Sequence, residues 1–146
     1  MAHPKTSRRQ INIDVLERSN ARLGRFIALY AAVDNDHPEH DAFLAAVIKG
    51  FEFTYGQAIN AIRRYVAEYV LSPGQVGQML LPDVIRTAAK NGLIGPPEGW
   101  FDFRDWRNET AHEYFDDESA ERIAGAAPEF HVAVAQLIAA LRERLR

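Results

Sequence analysis

An apolar stripe from Phe43 to Tyr69 limits the folds open to this chain more than any other feature. Phe43, Leu44, Val47, Ile48, Phe51, Tyr55, Ile59, Ile62, Val66 and Tyr69 follow one another at steps of one, three or four residues. At 3.6 residues per turn, such steps keep one face apolar for about seven turns. A strand would need a period of two, and no segment of any length shows one. A long helix must therefore bury that face against other helices.

The flanking segments read the same way. Leu16, Leu23, Phe26, Ile27 and Tyr30 recur at helical spacing, and Asp14 is the expected N-cap. Asp34-Asn35-Asp36-His37-Pro38 breaks that helix, and Ser72-Pro73-Gly74 ends the long one. A short helix is predicted from Pro82 to Asn91, stopped by Gly92. A fourth carries Trp100, Phe103 and Trp106 and runs on through the segment 107–114. Asp116-Asp117-Glu118-Ser119 caps a last helix towards Arg144, which Pro128 should kink or split. The expectation is an all-α antiparallel bundle of about five helices. It forms a single domain over residues 1–146, with residues 1–10 flexible.

Composition removes several functions. The chain has no cysteine, which excludes disulfides, thiol catalysis and cysteine-bound metal centres. No metal or cofactor is expected. No apolar run approaches the roughly 20 residues of a membrane span. Lys5, Arg8 and Arg9 precede no apolar stretch, so neither a signal peptide nor a membrane location is expected. The chain reads as cytoplasmic. A net charge of -3 speaks against a broad basic nucleic-acid surface. Any RNA would have to be met at a small local site.

Chemistry concentrates in Arg107-Asn108-Glu109-Thr110-Ala111-His112-Glu113-Tyr114, which reads R-N-x-x-x-H-x-Y. Arg107 is a permanent forked cation suited to phosphate. His112 can exchange protons near neutrality. Tyr114 brings a hydroxyl. On one ideal helix Arg107 and Tyr114 fall on nearly the same face, as do Asn108 and His112 on another. Arg107 and His112 diverge by about 140°. Either the helix loosens near His112, or a working site combines residues from two subunits. Eight acidic residues against Arg104, Arg107 and Arg122 crowd residues 101–122. Arg63 and Arg64, or Arg8 and Arg9, would have to offset them for RNA to approach.

The octet resembles the signature of the HEPN superfamily, in its branch of nucleotidyltransferase substrate-binding proteins and HepT-type toxins. Two upstream stretches resemble it too: Gly50-Phe51-Glu52-Phe53-Thr54-Tyr55, and Ala88-Ala89-Lys90-Asn91-Gly92-Leu93-Ile94. Together they cover roughly residues 40 to 125. The resemblance implies a homodimer whose motifs face each other across the interface. It implies a metal-independent endoribonuclease, the toxin of a type VII-like toxin–antitoxin pair. His112 would take the proton of an RNA 2′-hydroxyl, Arg107 would hold the phosphate charge, and Asn108 would orient one or the other. It also implies a partner, a minimal nucleotidyltransferase antitoxin that adenylylates Tyr114. An alternative within the same resemblance is a non-catalytic subunit that presents substrate or nucleotide to that transferase.

Plainer readings stand beside these. Arg107 and His112 can be solvated salt-bridge partners, and Tyr114 a packing aromatic. A third possibility is a structural homodimer whose octet has lost its use. His37 and His40, with Asp34, Asp36 and Asp41, look like a metal cluster in composition but read better as a solvated turn. Trp100, Phe103 and Trp106 could stack bases, yet core or dimer packing suits them better. Arg63 and Arg64 read as an exposed face. Arg142, Arg144 and Arg146 suit a helix C-terminus.

Overall fold

Asn12, not Asp14, opens the first helix: its side chain accepts a hydrogen bond from the Val15 amide at 3.0 Å. The computed structural model describes residues 11–145. The expected flexibility of residues 1–10 falls outside that range, as does Arg146. Among the described residues six α-helices follow in order: α1 Ile13–Ala31, α2 His40–Tyr65, α3 Pro73–Gly77, α4 Leu81–Lys90, α5 Pro97–Thr110 and α6 Asp117–Arg144. A π-helical turn, Val66–Val70, extends α2. The described residues form no strand, and the bundle is all-α as the periodicity requires.

The predicted stripe of α2 is the spine of the core. Leu44, Val47, Phe51, Tyr55, Ile59 and Ile62 are buried along it, against α1 on one side and α6 on the other. Tyr69 departs from it: the chain has left the α-helical register by then, and the residue is 59% exposed. Phe51 meets Phe130 of α6 edge-on at 4.9 Å between centroids. Trp100 and Phe103 close on the same ring at 6.2 and 5.1 Å. These aromatics are core residues, which fixes α5 and the octet at its end.

Helices α1 and α6 cross closely because Gly24 has no side chain. A Cβ there would lie 2.8 Å from His131 Cε1. Beside that crossing, Asn20 Nδ2 donates to the His131 carbonyl at 3.1 Å. Gly92 stops α4 as predicted, with φ of 75°, a conformation that side chains disfavour.

Three further expectations need correction. Ser72-Pro73-Gly74 does not merely end a helix but starts α3, through a capping box in which Ser72 and Gln75 bond each other's backbone. Pro128 does not split α6, a continuous helix of 28 residues. Buried Ala124, Ala127, Phe130 and Val134 anchor it on both sides of the missing amide. His40 is not solvated. It is buried at the start of α2, its Nε2 3.0 Å from Glu121 Oε1, and no metal-binding cluster occurs among the described residues. Helix α6 is also long and apolar enough, by composition, to cross a membrane. Its apolar stripe is buried in the core from Ile123 to Leu141.

Candidate functional site

The octet is divided by the end of α5. Thr110 Oγ1 donates to the Arg107 carbonyl at 3.0 Å. The His112 amide then reaches back only three residues, to Glu109 at 3.0 Å, and the Phe115 amide bonds the His112 carbonyl at 3.1 Å. Arg107 to Thr110 are helical, while Ala111 to Tyr114 are turns. The helix does loosen at His112, one of the two alternatives the 140° divergence left open. Tyr114 therefore does not share the face of Arg107. It lies beside His112, ring centroids 5.4 Å apart.

Arg107 faces the other way, towards α2. Its Nη1 lies 3.5 Å from Glu52 Oε2 and 3.4 Å from Thr110 Oγ1. Lys49 Nζ lies 4.0 Å from the other Glu52 oxygen. Glu52 received no role from sequence reasoning, although it stands inside the Phe51-Glu52-Phe53-Thr54 stretch. Its signal was a carboxylate set between Phe51 and Phe53, two positions from buried Thr54. Nearby Tyr55 is buried. Burial pushes its hydroxyl up to about 12, against a partial offset from the cations Arg104, Arg63 and Arg107.

Asn108, His112 and Tyr114 line one shallow depression of about 370 Å³, with Glu109, Phe115 and Ser119. Of the four residues singled out from sequence, the structure brings these three together and leaves Arg107 outside. His112 Nδ1 accepts a hydrogen bond from the Tyr114 amide at 3.2 Å. The neutral ring then carries its proton on Nε2 and presents a donor to the depression. To take a proton at Nε2, the ring must first carry its own proton at Nδ1 instead, a position that the Tyr114 amide already supplies with a donor. Base chemistry at His112 thus requires this bond to release.

The acidic neighbours have partners of their own. Glu109 pairs with Arg122 of α6. Asp116 accepts from the Ser119 amide at 2.8 Å and caps α6. The Ser119 hydrogen bonds hold the Asp116 carboxyl below its ordinary value of 3.8. A lowered folded-state pKa gives a stabilisation that is complete above the unfolded value and disappears as pH falls through the folded one. Asp116→Ala should lower the melting temperature slightly at pH 7, and the gap from wild type should close below pH 3.8. Thermal circular dichroism at pH 7 and at about pH 2.5 checks this. A gap that persists undiminished in acid excludes the charged cap as its source.

The pattern of the family described as "Nucleotidyltransferase substrate binding protein like" matches residues 11–143. The chain belongs to that family. A Haemophilus influenzae protein named "Probable ribonuclease HepT" is 31% identical over 104 residues, covering 71% of this chain and 70% of that one. A solved Haemophilus influenzae structure, described as the fold of a substrate binding domain of a nucleotidyltransferase, superposes with a TM-score of 0.79 at 26% identity. It covers 90% of this chain and 99% of its own. The resemblance read from the octet and its upstream stretches is thereby established as membership of the HepT-type, HEPN-like family.

Proposed function

We propose that this family member is a HepT-type toxin, a metal-independent endoribonuclease restrained by a cognate minimal nucleotidyltransferase. The observation that carries the reading is the depression that joins Asn108, His112 and Tyr114 beside the end of α5. It occurs in a chain related to a probable HepT ribonuclease. Once its Nδ1 is released from the Tyr114 amide, His112 takes the 2′-hydroxyl proton of RNA. The 2′-oxygen bonds to phosphorus, the bond from phosphorus to the 5′-oxygen breaks, and that oxygen leaves with a proton. Asn108 orients the phosphate or the ring. Arg107 stabilises the phosphate charge.

Arg107 and His112 face apart in one chain, which supports a homodimer in which one copy supplies the guanidinium and the other the imidazole. Glu52 holds Arg107 in place in the meantime, at 3.5 Å. A second reading, a non-catalytic subunit that presents substrate to the transferase, draws on the same Glu52 contact, because a partnered guanidinium is less available to phosphate. The two readings part on end chemistry. Purified protein should cleave cellular RNA in EDTA and leave 2′,3′-cyclic phosphate and 5′-hydroxyl ends, read by end-specific labelling. Intact RNA after prolonged incubation favours the binding subunit.

A further inference from the structure

The net charge of -3 hides a local reversal. A groove of about 620 Å³ runs between α1 and α2, and Arg18, Arg22, Arg25 and Lys49 line it without a single carboxylate. The acids of α1 lie elsewhere: Asp14 and Glu17 both pair with Arg142 of α6. The three arginines stand on successive turns of one helix face, over about 10 Å of axis at 1.5 Å per residue. Phe53 stands at the groove and is 56% exposed. Thr54 lines it too, wholly buried, and its hydroxyl has no hydrogen-bond partner among the described residues. A buried hydroxyl without a partner is uncommon.

The groove also leads to the octet. Lys49 lines both it and a neighbouring depression that contains Phe115 and the carboxylates Asp41, Glu52 and Asp117, where Lys49 is the one cation among the described residues. Phe115 in turn lines the depression of His112 and Tyr114. Three hollows thus adjoin through Lys49 and Phe115, from the arginine row to the candidate catalytic imidazole. A row of cations beside an exposed aromatic suits a single strand, with phosphates on the cations and a base against the ring.

We propose that the α1–α2 groove holds the backbone of single-stranded RNA and guides it past Lys49 to the octet. This rests on the ribonuclease reading, and it differs from the expectation that Arg63 and Arg64 or Arg8 and Arg9 supply the positive charge. The arginines are exposed, so replacing them leaves the fold intact.

The test uses a fluorescent 2′-O-methyl oligonucleotide, which cannot be cleaved, and measures polarisation across a salt series. Arg22→Gln should weaken binding about tenfold at low salt, as expected for loss of a charge-assisted contact. It should also reduce the magnitude of the salt slope by about 0.7, the value for one phosphate contact on a single strand. Lys90→Gln, which changes the net charge equally but lies outside the groove, should match wild type. Long RNA should be cleaved more slowly by Arg22→Gln, while a dinucleotide is cleaved as by wild type. Equal binding by Arg22→Gln and wild type overturns the groove, even where cleavage is intact. Binding of ATP that depends on Arg22, without binding of the oligonucleotide, overturns it in favour of a mononucleotide site. If wild type binds the oligonucleotide through Arg22 but cleaves no RNA, the groove stands and the ribonuclease reading fails.

Discussion

His112→Ala should slow RNA cleavage by a factor on the order of 10²–10⁴, the usual worth of a positioned general acid or base. Arg107→Ala should cost about 10²–10³, as for other donors aimed at developing charge. Neither change should disturb the helical circular dichroism. His112 is exposed in a turn after α5, and Glu52 retains Lys49 at 4.0 Å when Arg107 is shortened. The more searching result comes from mixing the two inactive proteins. Where each site takes Arg107 from one copy and His112 from the other, a mixed dimer contains one intact site and one doubly defective site. Random exchange then restores about a quarter of wild-type activity. A site built within one chain restores nothing on mixing. Undiminished cleavage by His112→Ala alone would end the mechanism.

The reason for expecting exchange lies in the end of α5, and it shows where sequence reasoning succeeds and stops. Periodicity located α2 because its apolar residues must share one face to be buried, and Val47, Phe51 and Ile62 are fully covered. Gly92 and Asp116 were legible because a positive φ and an N-cap have narrow chemical requirements. The end of α5 at Thr110 was not legible. It depends on a side-chain hydrogen bond to the Arg107 carbonyl at 3.0 Å, and Thr-Ala-His contains no strong breaker. That one termination moves Tyr114 from the face of Arg107 to the side of His112.

Partners across the bundle were equally hidden. Nothing local links Glu52 to Arg107, because packing of α2 against α5 brings them together. The arginine row of α1 was in plain view at positions 18, 22 and 25. Its meaning depends on the removal of Asp14 and Glu17 to Arg142, a contact some 125 residues distant in sequence.

Tyr114→Phe should keep the fold, escape modification and remain toxic when the nucleotidyltransferase is co-expressed. Tyr114 is 77% exposed, so its hydroxyl can enter another enzyme's active site, and removing one oxygen there disturbs no packing. In the modification proposed here, the Tyr114 oxygen bonds to the α-phosphorus of ATP. Pyrophosphate leaves, and the phenolic proton is lost. The AMP then lies against His112, since the two rings are 5.4 Å apart and the Tyr114 amide bonds His112 Nδ1 at 3.2 Å. Its phosphate occupies the depression that substrate phosphate would need, and attracts the Nε2 proton that the neutral ring presents there. Inhibition thus acts through the imidazole, not through a shared face with Arg107. Wild type treated with partner and ATP should gain the mass of AMP on Tyr114 and lose RNA cleavage. Intact-mass spectrometry of both proteins, with growth assays of both alleles, decides the matter. AMP on no residue, or a Tyr114→Phe protein neutralised as fully as wild type, would show that the partner restrains the toxin by holding it.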